Sequence, residues 1–145
     1  MKFADYDIVF KEHPNHVSLL FRITGCPNHC KNCHSSELHG NSGEELTIPR
    51  FIDILQRYHG LFTNVIFFGG EWESDHLCKL LEICRCKGIR TTLWSGCAEI
   101  APKILGLLDY VKTGEYDEQK GGLDSPRTNQ KYIEVSTGRQ IEIRW

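Results

Sequence analysis

Three cysteines stand close together in this 145-residue chain: Cys26, Cys30 and Cys33, spaced C-x3-C-x2-C within Thr24-Gly25-Cys26-Pro27-Asn28-His29-Cys30-Lys31-Asn32-Cys33-His34. Thiolates are the ligands of iron–sulfur clusters. Three of them on one short loop can cap three irons of a four-iron cubane. The fourth iron then keeps an open position, as a catalytic zinc does. A small molecule with amino and carboxylate groups can fill that position and receive one electron. A Cys3His zinc site with His34 or His29 is the alternative. Zinc loops usually come as two C-x2-C pairs at longer separation, and here no second pair follows. Three merely packed thiols fit poorly with the polar flanking residues Pro27, Asn28, His29, Lys31 and Asn32.

The four other cysteines are scattered. Cys84 and Cys86 are two apart on an expected helix, so they face different ways. Packing or incidental surface positions are the expectation for them and for Cys78 and Cys97. Seven cysteines in all, with clustering rather than pairing, suit a reducing compartment where disulfides are rare.

The elements that must position the loop are legible as alternating apolar and polar stretches. Tyr6 to Phe10 suits a short strand. Val17 to Ile23 is a nearly continuous apolar run, as in a strand buried on both faces. It ends at Gly25, where the cysteine loop begins. The loop therefore follows the carboxyl end of a strand, where ligands of α/β folds collect. Residues 39–45 read as a surface connection. Thr47 is a candidate N-cap, with Pro49 in the first turn of a helix carrying Phe51, Ile52, Leu55 and Tyr58; Gly60 ends it. Val65 to Phe68 is a second buried strand running into Gly69-Gly70-Glu71. Ser74 caps a second helix with Leu77, Leu80, Leu81 and Cys84 on one face. Ile89 to Trp94 is a third strand ending at Ser95-Gly96. Cys97 to Leu105 is an expected helix, kinked or restarted at Pro102. Leu107 to Lys112 is a fourth strand, followed by Thr113-Gly114. Residues 115–130 are a long polar loop. Tyr132 to Val135 and Gln140 to Arg144 flank Ser136-Thr137-Gly138-Arg139 as a hairpin.

Strands alternating with helices imply a mainly parallel sheet with right-handed crossovers. Four or five units do not close an eight-fold barrel, so an open, partial barrel with a C-terminal hairpin is expected, as one domain over residues 1–145. The small or polar strand ends would share one rim with the cysteine loop. A net charge of −2 gives no reason to expect nucleic acid or an anionic membrane as partner. No apolar run approaches the roughly 20 residues of a membrane span, and Met1 to Asp7 lacks a signal-peptide core. A cytoplasmic protein is expected.

The C-x3-C-x2-C loop directly after a buried strand resembles the signature of radical S-adenosylmethionine (SAM) enzymes. Gly69-Gly70-Glu71 resembles their glycine-rich SAM-binding motif. Cys30 to Ser35, Asp109 to Tyr116 and Gly121 to Lys131, with its Asp124-Ser125-Pro126-Arg127-Thr128-Asn129-Gln130, are similar to the activating proteins of anaerobic (class III) ribonucleotide reductase. The resemblance runs from about Tyr6 to the hairpin. Two positions depart from the wider superfamily: Asn32 stands where an aromatic residue is common, and Trp72 where a proline is common.

The resemblance implies a radical SAM-type open (β/α) barrel, a 4Fe-4S cluster on Cys26, Cys30 and Cys33, and SAM as co-substrate. It implies backbone contacts to SAM at Asn32, Cys33 and His34, and binding of its methionine end at Gly69, Gly70 and Glu71. Lys112, at a strand end, would pair with the SAM carboxylate; a solvated surface lysine is the equal alternative. The implied reaction is reductive cleavage of SAM to a 5′-deoxyadenosyl radical, which takes hydrogen from a glycine of the reductase's catalytic subunit. An electron donor such as flavodoxin or a ferredoxin is implied as a second partner. A different target of the same chemistry remains open, as does the zinc-binding module. Arg127 to Gln130 are assigned to partner contact or to loop structure.

Overall fold

A computed structural model of the protein describes residues 1–143. Seven strands form one mixed sheet: β1 (Lys2–Val9), β2 (Ser18–Ile23), β3 (Glu44–Glu45), β4 (Asn64–Phe68), β5 (Arg90–Trp94), β6 (Tyr110–Thr113) and β7 (Lys131–Glu134). Their spatial order is β3-β1-β2-β4-β5-β6-β7. The four central strands β2, β4, β5 and β6 are parallel, while β1, β3 and β7 add antiparallel borders. The fold is α/β, and its sheet is open.

Three helices fill the crossovers: α1 (Ile48–Arg57), α2 (Ser74–Cys86) and the single turn α3 (Pro102–Leu105). Helix α1 starts as its residues dictate. The Thr47 side chain accepts from the Arg50 amide at 3.2 Å, and Pro49 sits in the first turn. Phe51, Ile54 and Leu55 of α1 and Leu77, Leu80, Leu81 and Cys84 of α2 are buried against Leu19, Phe21, Val65, Phe67 and Leu93 of the sheet. Those sheet residues alternate along one face, and Leu20 and Ile66 on the other face are buried as well, so the near-continuous apolar runs of β2 and β4 reflect burial on both faces. Cys84 is buried and Cys86 exposed, the opposite faces their spacing requires.

Several boundaries differ from the sequence expectation. Strand β1 is longer than Tyr6 to Phe10 because it pairs antiparallel with all of β2. Ser74 is the first residue of α2 and makes no capping bond; the preceding turn is the 3-10 segment Glu71–Glu73. Helix α3 covers only Pro102–Leu105. A helix continued backward would drive the Pro102 ring into the carbonyl four residues earlier, so the chain starts afresh at the proline. The 39–45 connection contains the two-residue strand β3, paired to Lys2 and Phe3. The hairpin turns where expected, but its second arm is a single bridge, Gln140 to Ile133, with Ile141 N–H on the Tyr132 carbonyl. Arg144, the end of that expected arm, lies outside the described residues.

One polar feature crosses the apolar sheet. Buried Asn64 donates its amide to Ser18 Oγ on β2 and accepts from Thr92 Oγ1 on β5, both at 2.9 Å. Every member of the row is satisfied, as burial requires. Among the described residues, no helix is long and apolar enough to cross a membrane.

Candidate functional site

The carboxyl ends of the parallel strands open onto one cavity of about 430 Å3. Such a volume suits one small-molecule ligand. Ile23 of β2, Phe68 of β4, Trp94 of β5 and Lys112 of β6 contribute to its wall, together with Cys26, Cys30, Cys33, His34, Gly69, Glu71, Ser95 and Gly96. The expected rim therefore exists, and seven of the nine residues singled out from the sequence reach it. Asn32 and Gly70 do not line the cavity. The Asn32 side chain turns to Glu118, and a side chain at Gly70 would meet Met1 Cε at 3.2 Å.

The cysteine loop is shaped by its backbone. Gly25 has φ +82, and His29 and Asn32 hold φ +44 and +54, a region few non-glycine residues enter. Gly25 N–H and Cys26 N–H both donate to the Leu38 carbonyl, which closes the loop on itself. The three thiols are half-buried and none is in a disulfide. Burial pushes the Cys26 thiol above its ordinary pKa. A backbone hydrogen bond at Asn28 opposes this, while Glu71 and the other two thiols reinforce it. Ligation would therefore release a proton from Cys26.

Opposite the thiols stand two groups of opposite charge. Glu71 Oε1 accepts from Ser95 Oγ, and Ser95 Oγ in turn accepts from the Cys97 amide. Glu71 Oε2 is enclosed with no hydrogen-bond partner among the described residues. Lys112 Nζ donates to the Gly114 carbonyl at 2.9 Å and the Ser95 carbonyl at 3.3 Å. Burial holds its pKa down to about 8, despite the attraction of Cys30, Glu71 and Cys33. Lys112 is therefore a cavity residue and not a solvated surface lysine. An orphaned carboxylate oxygen and a poorly solvated ammonium are an arrangement that a zwitterionic ligand would complete.

Glycine 69 has a packing reason as well as a turn reason. Its φ is +86, and a Cβ there would lie 2.6 Å from Trp72 Cη2. Trp72 also lines the cavity. A proline at position 72 could not supply this wall. Similarly, a Cβ on Gly96 would lie 2.3 Å from Asn28 Nδ2, so the end of β5 and the cysteine loop touch there.

The far wall was not legible as a site. Tyr116, Gly122, Leu123, Asp124 and Gln130 come from the 114–130 loop. Within that loop Ser125 Oγ accepts from the Arg127 amide, Thr128 Oγ1 donates to the Gly121 carbonyl, Asn129 Nδ2 to the Glu115 carbonyl, and Gln130 Nε2 to the Gly114 carbonyl. Thr128, Asn129 and Gln130 are thus accounted for as loop structure. Arg127 is exposed. The sequence singled out these stretches only through the resemblance of Asp109 to Tyr116 and Gly121 to Lys131, and neither that nor their polar, glycine-bearing composition says where the loop folds.

Among the described residues, no three His, Cys, Asp or Glu side chains are gathered to hold one metal ion. A single zinc would need each sulfur at about 2.3 Å from one centre. A cubane has a different requirement, since each thiolate caps a separate iron. The donor set, three thiols of one loop beside a cavity, fits the cluster. A scan against protein-family models finds no match to this chain, and no curated protein matches it.

Proposed function

We propose that the chain is an iron–sulfur activase that cleaves SAM reductively and places a glycyl radical on anaerobic ribonucleotide reductase. The observation that carries this reading is a single cavity shared by three loop thiols, an orphaned carboxylate oxygen and a half-buried lysine. Cys26, Cys30 and Cys33 would hold a 4Fe-4S cluster. When bound, the cluster supplies the electron that splits SAM into methionine and a 5′-deoxyadenosyl radical. Glu71 Oε2 would accept from the SAM amino group and Lys112 would pair with its carboxylate. Trp72 and Phe68 line the same space and would exclude water from it, which would protect a radical from side reactions.

The parallel strands β2, β4, β5 and β6 are read as the arc of a radical SAM-type open barrel. An open sheet leaves one side of the cavity to be closed by something else. A loop of the reductase's catalytic subunit, carrying the target glycine, suits that opening. Flavodoxin or a ferredoxin is the proposed class of electron donor. Seven free cysteines support a reducing, cytoplasmic setting.

Anaerobic reconstitution tests the proposal. It should give a brown protein that releases 5′-deoxyadenosine on reduction and produces a glycyl doublet in the EPR spectrum of the reductase. A colourless protein that holds zinc and ignores SAM would overturn it. Release of 5′-deoxyadenosine without the doublet would move the target to another molecule.

A further inference from the structure

Two side-chain bridges join the cysteine loop to the 114–130 loop. Asn32 Nδ2 donates to Glu118 Oε2 at 2.7 Å. His34 Nε2 and the Tyr116 hydroxyl share a hydrogen bond of 3.0 Å, with their ring centroids 4.5 Å apart. The bridged residues are 86 and 82 positions apart in sequence, so neither bridge is a local turn contact. Asn32 and His34 flank Cys33 on both sides. Within itself that turn has, among the described residues, only two further contacts, the Cys33 amide on the Cys30 carbonyl at 3.3 Å and the Ser35 amide on Cys33 Sγ at 3.4 Å, and Asn32 sits at positive φ.

The other ends of the bridges are firmly founded. The side chains of Thr128, Asn129 and Gln130 tie the 114–130 loop to itself, and Gln130 anchors it to Gly114 at the end of β6. The same loop supplies Tyr116, Leu123 and Asp124 to the cavity wall.

We infer that Tyr116 and Glu118 are positioning residues. Acting through His34 and Asn32, they hold the turn that carries Cys33 and couple it to the wall that a target polypeptide must meet. Occupancy of the cavity and the mobility of the 114–130 loop then report on each other through two hydrogen bonds. The identity of the ligand rests on the proposed function above; the bridges themselves do not.

Amide hydrogen exchange on the full chain tests this. Tyr116→Phe with Glu118→Ala should speed exchange about tenfold or more in residues 28–35 and 115–124 together, with β2 unchanged. Glu118→Gln, which keeps an acceptor for Asn32, should restore protection lost in Glu118→Ala. After anaerobic reconstitution, added SAM should slow exchange in 115–124 of the wild-type chain but not of the double variant. The EPR signal of the reduced cluster should also shift in the double variant. Faster exchange in 115–124 alone, or unchanged exchange in both segments, overturns the inference. So does a SAM effect that survives in the double variant. If the chain takes up no cluster yet both segments loosen together, the bridges stand and the proposed function falls. If it binds cluster and SAM with unaltered exchange, the reverse holds.

Discussion

Lys112 shows how a residue's cost can disclose its role. An ammonium held among apolar walls is expensive unless something negative completes it. Two backbone carbonyls meet only part of that need. Replacing it, Lys112→Met, should leave iron uptake intact and weaken SAM binding more than tenfold, read by equilibrium dialysis of the reconstituted protein. Equal SAM affinity would remove Lys112 from the site. The cysteines make a sharper contrast. Cys30→Ser should abolish cluster assembly and SAM cleavage, whereas Cys86→Ser, at an exposed helix position, should leave both within about twofold, as surface changes usually do. The cysteine spacing was legible because ligand spacing is local. Glu71 was legible only through its neighbours Gly69 and Gly70. The Ser95 hydroxyl that holds Glu71 was not, because 24 residues separate the two.

At the scale of elements, strands and long helices followed from apolar periodicity, since burial on both faces writes itself into β2 and β4. The borders did not. The length of β1 depends on its partner, and β3 exists only because the chain returns beside Phe3. Two glycines show how loops differ beneath similar composition. Gly60 has φ +83 with nothing near its missing Cβ, so Gly60→Ala should cost only the left-handed strain, ~1–2 kcal/mol. Gly114 has φ +98, and its Cβ would lie 2.9 Å from the Asn129 carbonyl oxygen and 3.2 Å from Gln130 Cα. Both obstacles are backbone. Gly114→Ala should therefore cost about 2 kcal/mol more than Gly60→Ala in urea denaturation, strain and overpacking together. Equal costs would mean that the loop anchor at β6 gives way freely.

For the molecule as a whole, acid should be felt at the end of the sheet opposite the cavity. His13 is buried at 5 % exposure, packed on Tyr110 with ring centroids 4.1 Å apart, and its Nδ1 meets the Pro14 carbonyl at 2.6 Å. Its Nε2 is enclosed without a partner among the described residues. Burial holds its pKa below the ordinary 6.5, against the Pro14 bond, with His16 adding to the lowering and Glu134 opposing it. The folded chain thus binds fewer protons than the unfolded one. Stability is full above about pH 6.5 and falls as pH drops toward the folded-state pKa. The urea midpoint should decline from pH 7 to pH 5, and His13→Phe should flatten that decline, leaving a smaller slope from His16, whose pKa burial also lowers. An unchanged slope would clear His13. The Ser18–Asn64–Thr92 row lies toward this same end. Sliding β4 by one residue would strand the Asn64 amide in hydrocarbon, at about 1–3 kcal/mol for each lost partner. Apolar neighbours alone would tolerate such a slip far better. The row is therefore an alignment pin: Asn64 lies opposite Ser18 and reaches diagonally to Thr92, so it fixes the register of three strands at one end and with it, a strand's length away, the relative height of their tips. A chain pinned badly would still fold and still carry its cysteines, yet would present them to a crooked rim.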